Sequence, residues 1–185
     1  MLILRLKNIQ KILKKFTGVN GEPKNDEEQY ILKAMWVMLC AEFEGSIKDL
    51  VENYIDSVKK AKKVEDMHIC FLLQGYYGKS EEKGKLAKKN IFQLFKIKKE
   101  EINRNNFINN KKAIYKQEAI EDLFNSLGIF FTKKEITMLK QLDSIASSRD
   151  SISHGDKLIS ITRKELEDNI PIVKKIYNML KRKLK

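Results

Sequence analysis

Apolar residues recur every three or four positions along most of this chain. The pattern is clearest between residues 26 and 60. Leu32, Trp36, Leu39, Phe43, Ile47, Leu50, Tyr54 and Val58 form one unbroken stripe, and Ile31, Met35, Met38, Val51 and Ile55 widen it. That period predicts one long helix buried along much of its length. Upstream, Leu2, Leu6, Ile9, Leu13 and Phe16 share a helical face with lysines opposite, which predicts a short amphipathic helix over residues 2–16. The Gly18–Pro23 stretch breaks it.

Further along, Met67, Ile69, Cys70, Phe71, Leu72 and Leu73 form an apolar run that ends at Gly75-Tyr76-Tyr77-Gly78. A charged loop from Lys79 leads into a helix expected over 85–97, and residues 103–110, rich in asparagine, read as a loop. A helix is expected over 115–127, ending at Gly128. Thr132-Lys133-Lys134-Glu135 and Thr162-Arg163-Lys164-Glu165 are capping boxes. The first opens a helix over 132–148, and the second opens a closing helix to 183. Pro171 is expected to kink or split that last helix.

With only eight Gly and two Pro among 185 residues, and few alternating β-branched runs, the fold class is all-α. We read 1–185 as a single domain, with residues 1–25 as an N-terminal helix and loop and 26–185 as the core bundle.

Charge adds a partner to this picture. The chain has 37 Lys+Arg against 25 Asp+Glu, a net +12. Such an excess serves either a polyanionic partner or plain solubility. Lys83, Lys85, Lys88, Lys89, Lys96, Lys98 and Lys99 cluster in the middle of the chain. Lys85, Lys88 and Lys89 are the RNA-contact candidates there, and a solvated face is the alternative. The opening Met1–Lys7 stretch is too short and too charged for a signal peptide or membrane span, so a cytoplasmic protein with no membrane partner is expected. Cys40 and Cys70 sit in apolar runs and read as buried thiols, with a disulfide between them the alternative. No CxxC or HxxxH pair exists, so neither a zinc site nor another metal site is expected, and no cofactor. His68 reads as structural or exposed.

The stretch Ser148–Gly155 carries the chemistry. Arg149 keeps its charge at any working pH and grips phosphate bidentately. His154 is a side chain that trades protons near neutrality. Asp150 can orient either by hydrogen bonding. Ser153 is a candidate helper or a cap, and Glu44, inside the long apolar helix, either meets an arginine or cap elsewhere or lies on an exposed face. On a helix, Arg149 and His154 would sit about 140° from eclipsed, so a shared pocket needs the helix to fray near His154.

Arg149-Asp150-Ser151-Ile152-Ser153-His154-Gly155 resembles the signature of the HEPN superfamily, an arginine, a polar residue and a histidine four to six residues after the arginine, often followed by glycine. The stretch from Trp36 to Lys48, an apolar run followed by Glu44-Gly45 and ending in lysine, is similar to a helix of the stand-alone or ribonuclease-linked bacterial HEPN branches. The resemblance spans residues 28–183. It implies a bundle of long antiparallel helices with a short closing helix. It also implies a homodimer with two facing motifs, and a metal-independent endoribonuclease with Arg149, Asp150 and His154 as the catalytic set. RNA is the implied substrate, and a toxin or anti-phage effector the implied role, with a cognate antitoxin or nucleotidyltransferase as a further partner. Nucleotide transfer to a tyrosine two residues after the histidine, known in one subgroup, is not implied, because Asp156 stands there. Some of the Leu32–Val58 stripe, longer than a helix pair needs, or else the motif helix, is expected to contribute to the dimer face. The alternative is a non-catalytic RNA-binding or partner-binding module, antitoxin-like or scaffold, including a helical domain that acts on a protein partner.

Overall fold

The computed structural model describes residues 2–60, 107–108 and 113–185. The Met67–Leu73 run, His68, Cys70, the expected 85–97 helix and the lysine cluster from Lys83 to Lys99 lie outside them. The described residues form six helices and no strand: α1 (Leu2–Leu13), α2 (Asp26–Lys60), α3 (Gln117–Ser126), α4 (Lys133–Leu139), α5 (Gln141–Ser153) and α6 (Arg163–Lys183). The fold is all-α.

α2 is the organising element. It packs against α1, α5 and α6, while α1 and α5 each also touch α6. The architecture is thus two helix triangles sharing the α2–α6 edge. Twelve of the 35 residues of α2 are buried, along the expected stripe from Leu32 to Val58. Leu32, Leu39, Ile47, Val51 and Ile55 are sealed completely within their own chain. These side chains are covered by the helices of their own chain. Ile31 and Met38, expected to widen the stripe, instead face solvent on the opposite side.

α1 buries Leu2, Leu6, Ile9 and Leu13 in the same apolar cluster as α2 and α6. It runs antiparallel to α2, with Arg5 paired to Glu42 at 2.6 Å. The connection to α2 closes on the start of α6. The Arg163 and Lys164 N–H groups donate to the Gly21 and Asn20 carbonyls at 3.1 Å, and the Arg163 guanidinium donates to the Phe16 carbonyl at 2.8 Å. A Cβ on Gly21 would lie 2.2 Å from that of Arg163, so no other residue fits this approach. α2 and α6 therefore leave from the same end of the bundle, and α1–α2 is an antiparallel pair.

Three expectations need correction. The helix expected over 132–148 is two helices, interrupted at Lys140 and extended to Ser153. The break is one tightened step, with the Asp143 N–H reaching back three residues to the Lys140 carbonyl. α6 is not split at Pro171, and at 21 residues it is not short. Pro171 points to solvent, while Leu166, Ile170, Val173 and Ile176 clamp the helix on both sides of it. Proline inside a helix costs about 3 kcal/mol. Burying each of those aliphatic side chains returns about 1.5–3 kcal/mol. Packing wins. Both capping boxes form as expected, at Thr132/Glu135 and Thr162/Glu165.

Candidate active site

The candidate site lies on the last two turns of α5. Leu142, Ile145 and Ala146 seat this helix in the core. The buried Trp36 indole donates to the Ile145 carbonyl at 3.0 Å, locking α5 against α2 one turn before the motif. The flank of α5 carries Asp143 and Asp150, seven residues apart and so on one face. Both grip the chain entering α3. Asp143 accepts the Gln117 N–H at 3.1 Å, capping α3 from outside. Asp150 accepts the Tyr115 hydroxyl at 2.7 Å and pairs with Lys116 at 2.8 Å.

Asp150 also receives its neighbour. The Arg149 guanidinium lies 3.2 Å from the Asp150 carboxylate and 5.0 Å from the Tyr115 ring centre. One carboxylate thus holds three donors, and one ring supports the cation by its face. Lys116 and then Tyr115 and Arg149 hold the Asp150 carboxyl at about 2, so it stays ionised. Burial, reinforced by the bond to Asp150, pushes the Tyr115 phenol up to about 12. It is a donor here, not a base. Arg149 is half-buried, with a third of its side chain open to solvent, so its outer edge is left to meet an anion.

Cys40 of α2 lies beneath this group. Burial pushes its thiol up to about 12, with Arg149 pulling the other way and Asp150 and Glu44 adding to the rise. The charges of Arg149, Asp150 and Glu44 therefore surround one thiol, which stays protonated and inert. Glu44 itself pairs with Lys48 at 2.9 Å, one turn on along α2, rather than with Arg149.

His154 is the C-cap of α5, and its helix ends in a Schellman motif. Gly155 donates to the Ile152 carbonyl at 3.1 Å and Asp156 to the Ser151 carbonyl at 3.0 Å, with Gly155 at φ 78°. This gives the His-Gly pair a physical reason. Glycine takes the left-handed position that stops the helix, and the imidazole is left exposed at its end. The Lys33 ammonium, donating to the Asp156 carbonyl at 3.3 Å, ties the turn to α2. Ser153 is exposed on the final turn. The Asp150 carboxylate bonds Arg149 but not the His154 imidazole. Among the described residues, no hydrogen bond or ion pair joins the imidazole to Arg149 or Asp150. The fraying that a shared pocket within one chain needs does not occur; α5 stays helical through Ser153.

Tyr115 and Lys116 were not expected at the site. Their partner is Asp150, 35 residues from Tyr115 in sequence, and only the tertiary fold brings them together. Lys85, Lys88 and Lys89 lie outside the described residues. Among the described residues, no group of three or more His, Cys, Asp or Glu side chains is placed to hold a metal ion, and no helix is long and apolar enough to cross a membrane.

An all-α bundle with an arginine–acid pair on the last turns of a helix that terminates at His-Gly defines an HEPN-type domain. Comparison with protein families agrees. Residues 1–185 match the family described as RiboL-PSP-HEPN, and the chain belongs to that family. At the level of the superfamily this carries an RNA-related role, often that of a ribonuclease. Neither the comparison with curated proteins nor that with solved structures found a match.

Proposed function

We propose that this protein is a metal-independent endoribonuclease that acts as a homodimer in the cytoplasm, as a toxin or anti-phage effector. The observation that carries the reading is the held guanidinium. Asp150 and Tyr115 fix Arg149 on the same helix whose end presents an exposed imidazole. Family membership supports RNA as the substrate.

The chemistry follows from these groups. His154 takes the proton of an RNA 2′-OH, and O2′ attacks the adjacent phosphorus. The bond from phosphorus to O5′ breaks, and O5′ takes a proton. The products are a 2′,3′-cyclic phosphate and a 5′-OH end. Arg149 offsets the charge that builds on the non-bridging oxygens. A positioned acid or base of this kind contributes roughly 10²–10⁴-fold.

One imidazole cannot give and take at the same moment, so the site is completed by a second copy. An apolar stripe on α2 supports that pairing. Tyr30, Ala34, Met38 and Ala41, flanked by Ile31, share one exposed face, and Lys33 ties the same helix to the turn after His154. Leu158, almost fully exposed, extends the apolar surface beyond that turn. Exposed apolar groups clustered in this way mark protein interfaces.

The test has two readouts. Purified protein in EDTA should cut single-stranded RNA to cyclic-phosphate and 5′-OH ends, and light scattering should report a dimer. Cleavage that appears only with added divalent metal would overturn the mechanism, and a monomer that cuts would overturn the two-histidine site. A non-catalytic RNA-binding module is the second reading, favoured by the separation of His154 from Arg149 within one chain. It predicts RNA binding without cleavage.

A further inference from the structure

α6 divides by charge. Its acids, Glu165, Glu167 and Asp168, stand in the first two turns, and none follows through Lys185. Six cations do: Lys174, Lys175, Lys181, Arg182, Lys183 and Lys185. Lys183 turns inward, pairing with Glu135 at 2.9 Å and donating to the Phe130 carbonyl. The other five are exposed and, among the described residues, have no acidic partner. Four of them pair off at seven-residue spacing, Lys174 with Lys181 and Lys175 with Arg182, so they repeat on one face every ~10.5 Å. Together with Pro171, Asn178 and Lys185 they make up one open face of α6.

Two ordinary explanations fall short. Cations are favoured at a helix C-terminus, but that effect fades within the last turn. Lys174 and Lys175 lie two turns before it. Surface lysines also serve solubility, but they then alternate with acids. Here like charges sit beside one another, Lys181 with Lys185 and Arg182 with Lys185, an arrangement that repels until an anion enters.

We infer that this basic face is a docking surface for the phosphodiester backbone of single-stranded RNA, held through Lys174, Lys175, Lys181, Arg182 and Lys185. The inference deepens the ribonuclease reading and rests on it for the choice of RNA among polyanions. The composition of this face explains the kind of recognition. No aromatic side chain is present to stack a base, so contact is with phosphates and is indifferent to sequence. An anionic membrane is disfavoured, because a membrane-seeking helix sets large apolar side chains beside its cations and only Pro171 is apolar here.

Binding of a fluorescent 2′-O-methyl oligouridine, which lacks the attacking hydroxyl, measured across a salt series tests this. Five phosphate contacts predict a slope of log K against log salt of about −3.5. Lys174→Gln/Lys181→Gln/Arg182→Gln should flatten it by about 2 and weaken binding at low salt, with helicity unchanged by circular dichroism. Lys175→Gln/Lys185→Gln, on the same face, should independently flatten it by about 1.4. An unchanged slope in both variants overturns the inference. So does wild-type binding to phosphatidylglycerol vesicles but not to the oligonucleotide. Cleavage in EDTA, assayed separately, distinguishes the two ideas. A flattened slope without wild-type cleavage keeps the surface and removes the nuclease; cleavage with an unchanged slope does the reverse.

Discussion

Asp150→Asn probes the hub of the site. The carboxyl accepts from Tyr115, Lys116 and Arg149, and these hold it at about 2 against an ordinary value of 3.8. At about 1.4 kcal/mol per pKa unit, that preference for the ionised form is worth about 2 kcal/mol. The side chain is 28% exposed and Lys116 half exposed, so solvent screening trims it to about 1–2 kcal/mol. One effect opposes the loss. Asp150 lies near the C-terminus of α5, where removing a negative charge gains about 0.3–1 kcal/mol. The donors win, and the net cost at pH 7 is about 1 kcal/mol. Urea unfolding followed by circular dichroism should show it as a midpoint lower by about 0.5 M. The pH dependence carries the sign. A carboxyl with a lowered folded pKa stabilises above its unfolded value, and that stability is lost as pH falls from about 4 to about 2. The gap between wild type and variant should therefore close over that window. Equal midpoints at pH 7, or a gap that persists at pH 2, would refute the hub.

Gly155→Ala should cost about 1 kcal/mol, because a Cβ there meets nothing within 4 Å and only the left-handed backbone resists it; a thermal shift below about 1 °C would contradict the Schellman assignment. Trp36→Phe removes the donor to the Ile145 carbonyl and shrinks a buried ring, and should cost about 2–3 kcal/mol, read by the same urea titration; a cost near zero would mean that α5 is not held through this bond.

The long helix was legible from the sequence because its signal is local and repeated. Each of Leu32, Leu39 and Ile47 reports the same buried face, and the observed span is Asp26–Lys60. The capping boxes were legible for the same reason, each complete within four residues. Pro171 does not split α6 because the local rule is true but outweighed by burial on both sides of it. The break at Lys140 left no mark, since Lys140 itself keeps right-handed helical angles. At the site, Arg149, Asp150 and His154 could be read because they fall within six residues. Tyr115 and Lys116 could not. Nothing in an isolated Tyr-Lys pair says that an aspartate 35 residues from the tyrosine will receive both. Periodicity marks a helix as apolar on one side but does not say which chain covers that side.

The most direct measurement compares wild type with His154→Ala in cleavage of a single-stranded RNA in EDTA, with mapped ends and matched circular dichroism. His154 contributes its backbone N–H to the Asp150 carbonyl and exposes its side chain, so the variant should keep its fold. Wild type should yield 2′,3′-cyclic phosphate ends, and the variant should be slower by roughly 10²-fold or more while binding RNA as tightly. Equal cleavage by two folded proteins would show that this imidazole moves no proton and would contradict the nuclease reading.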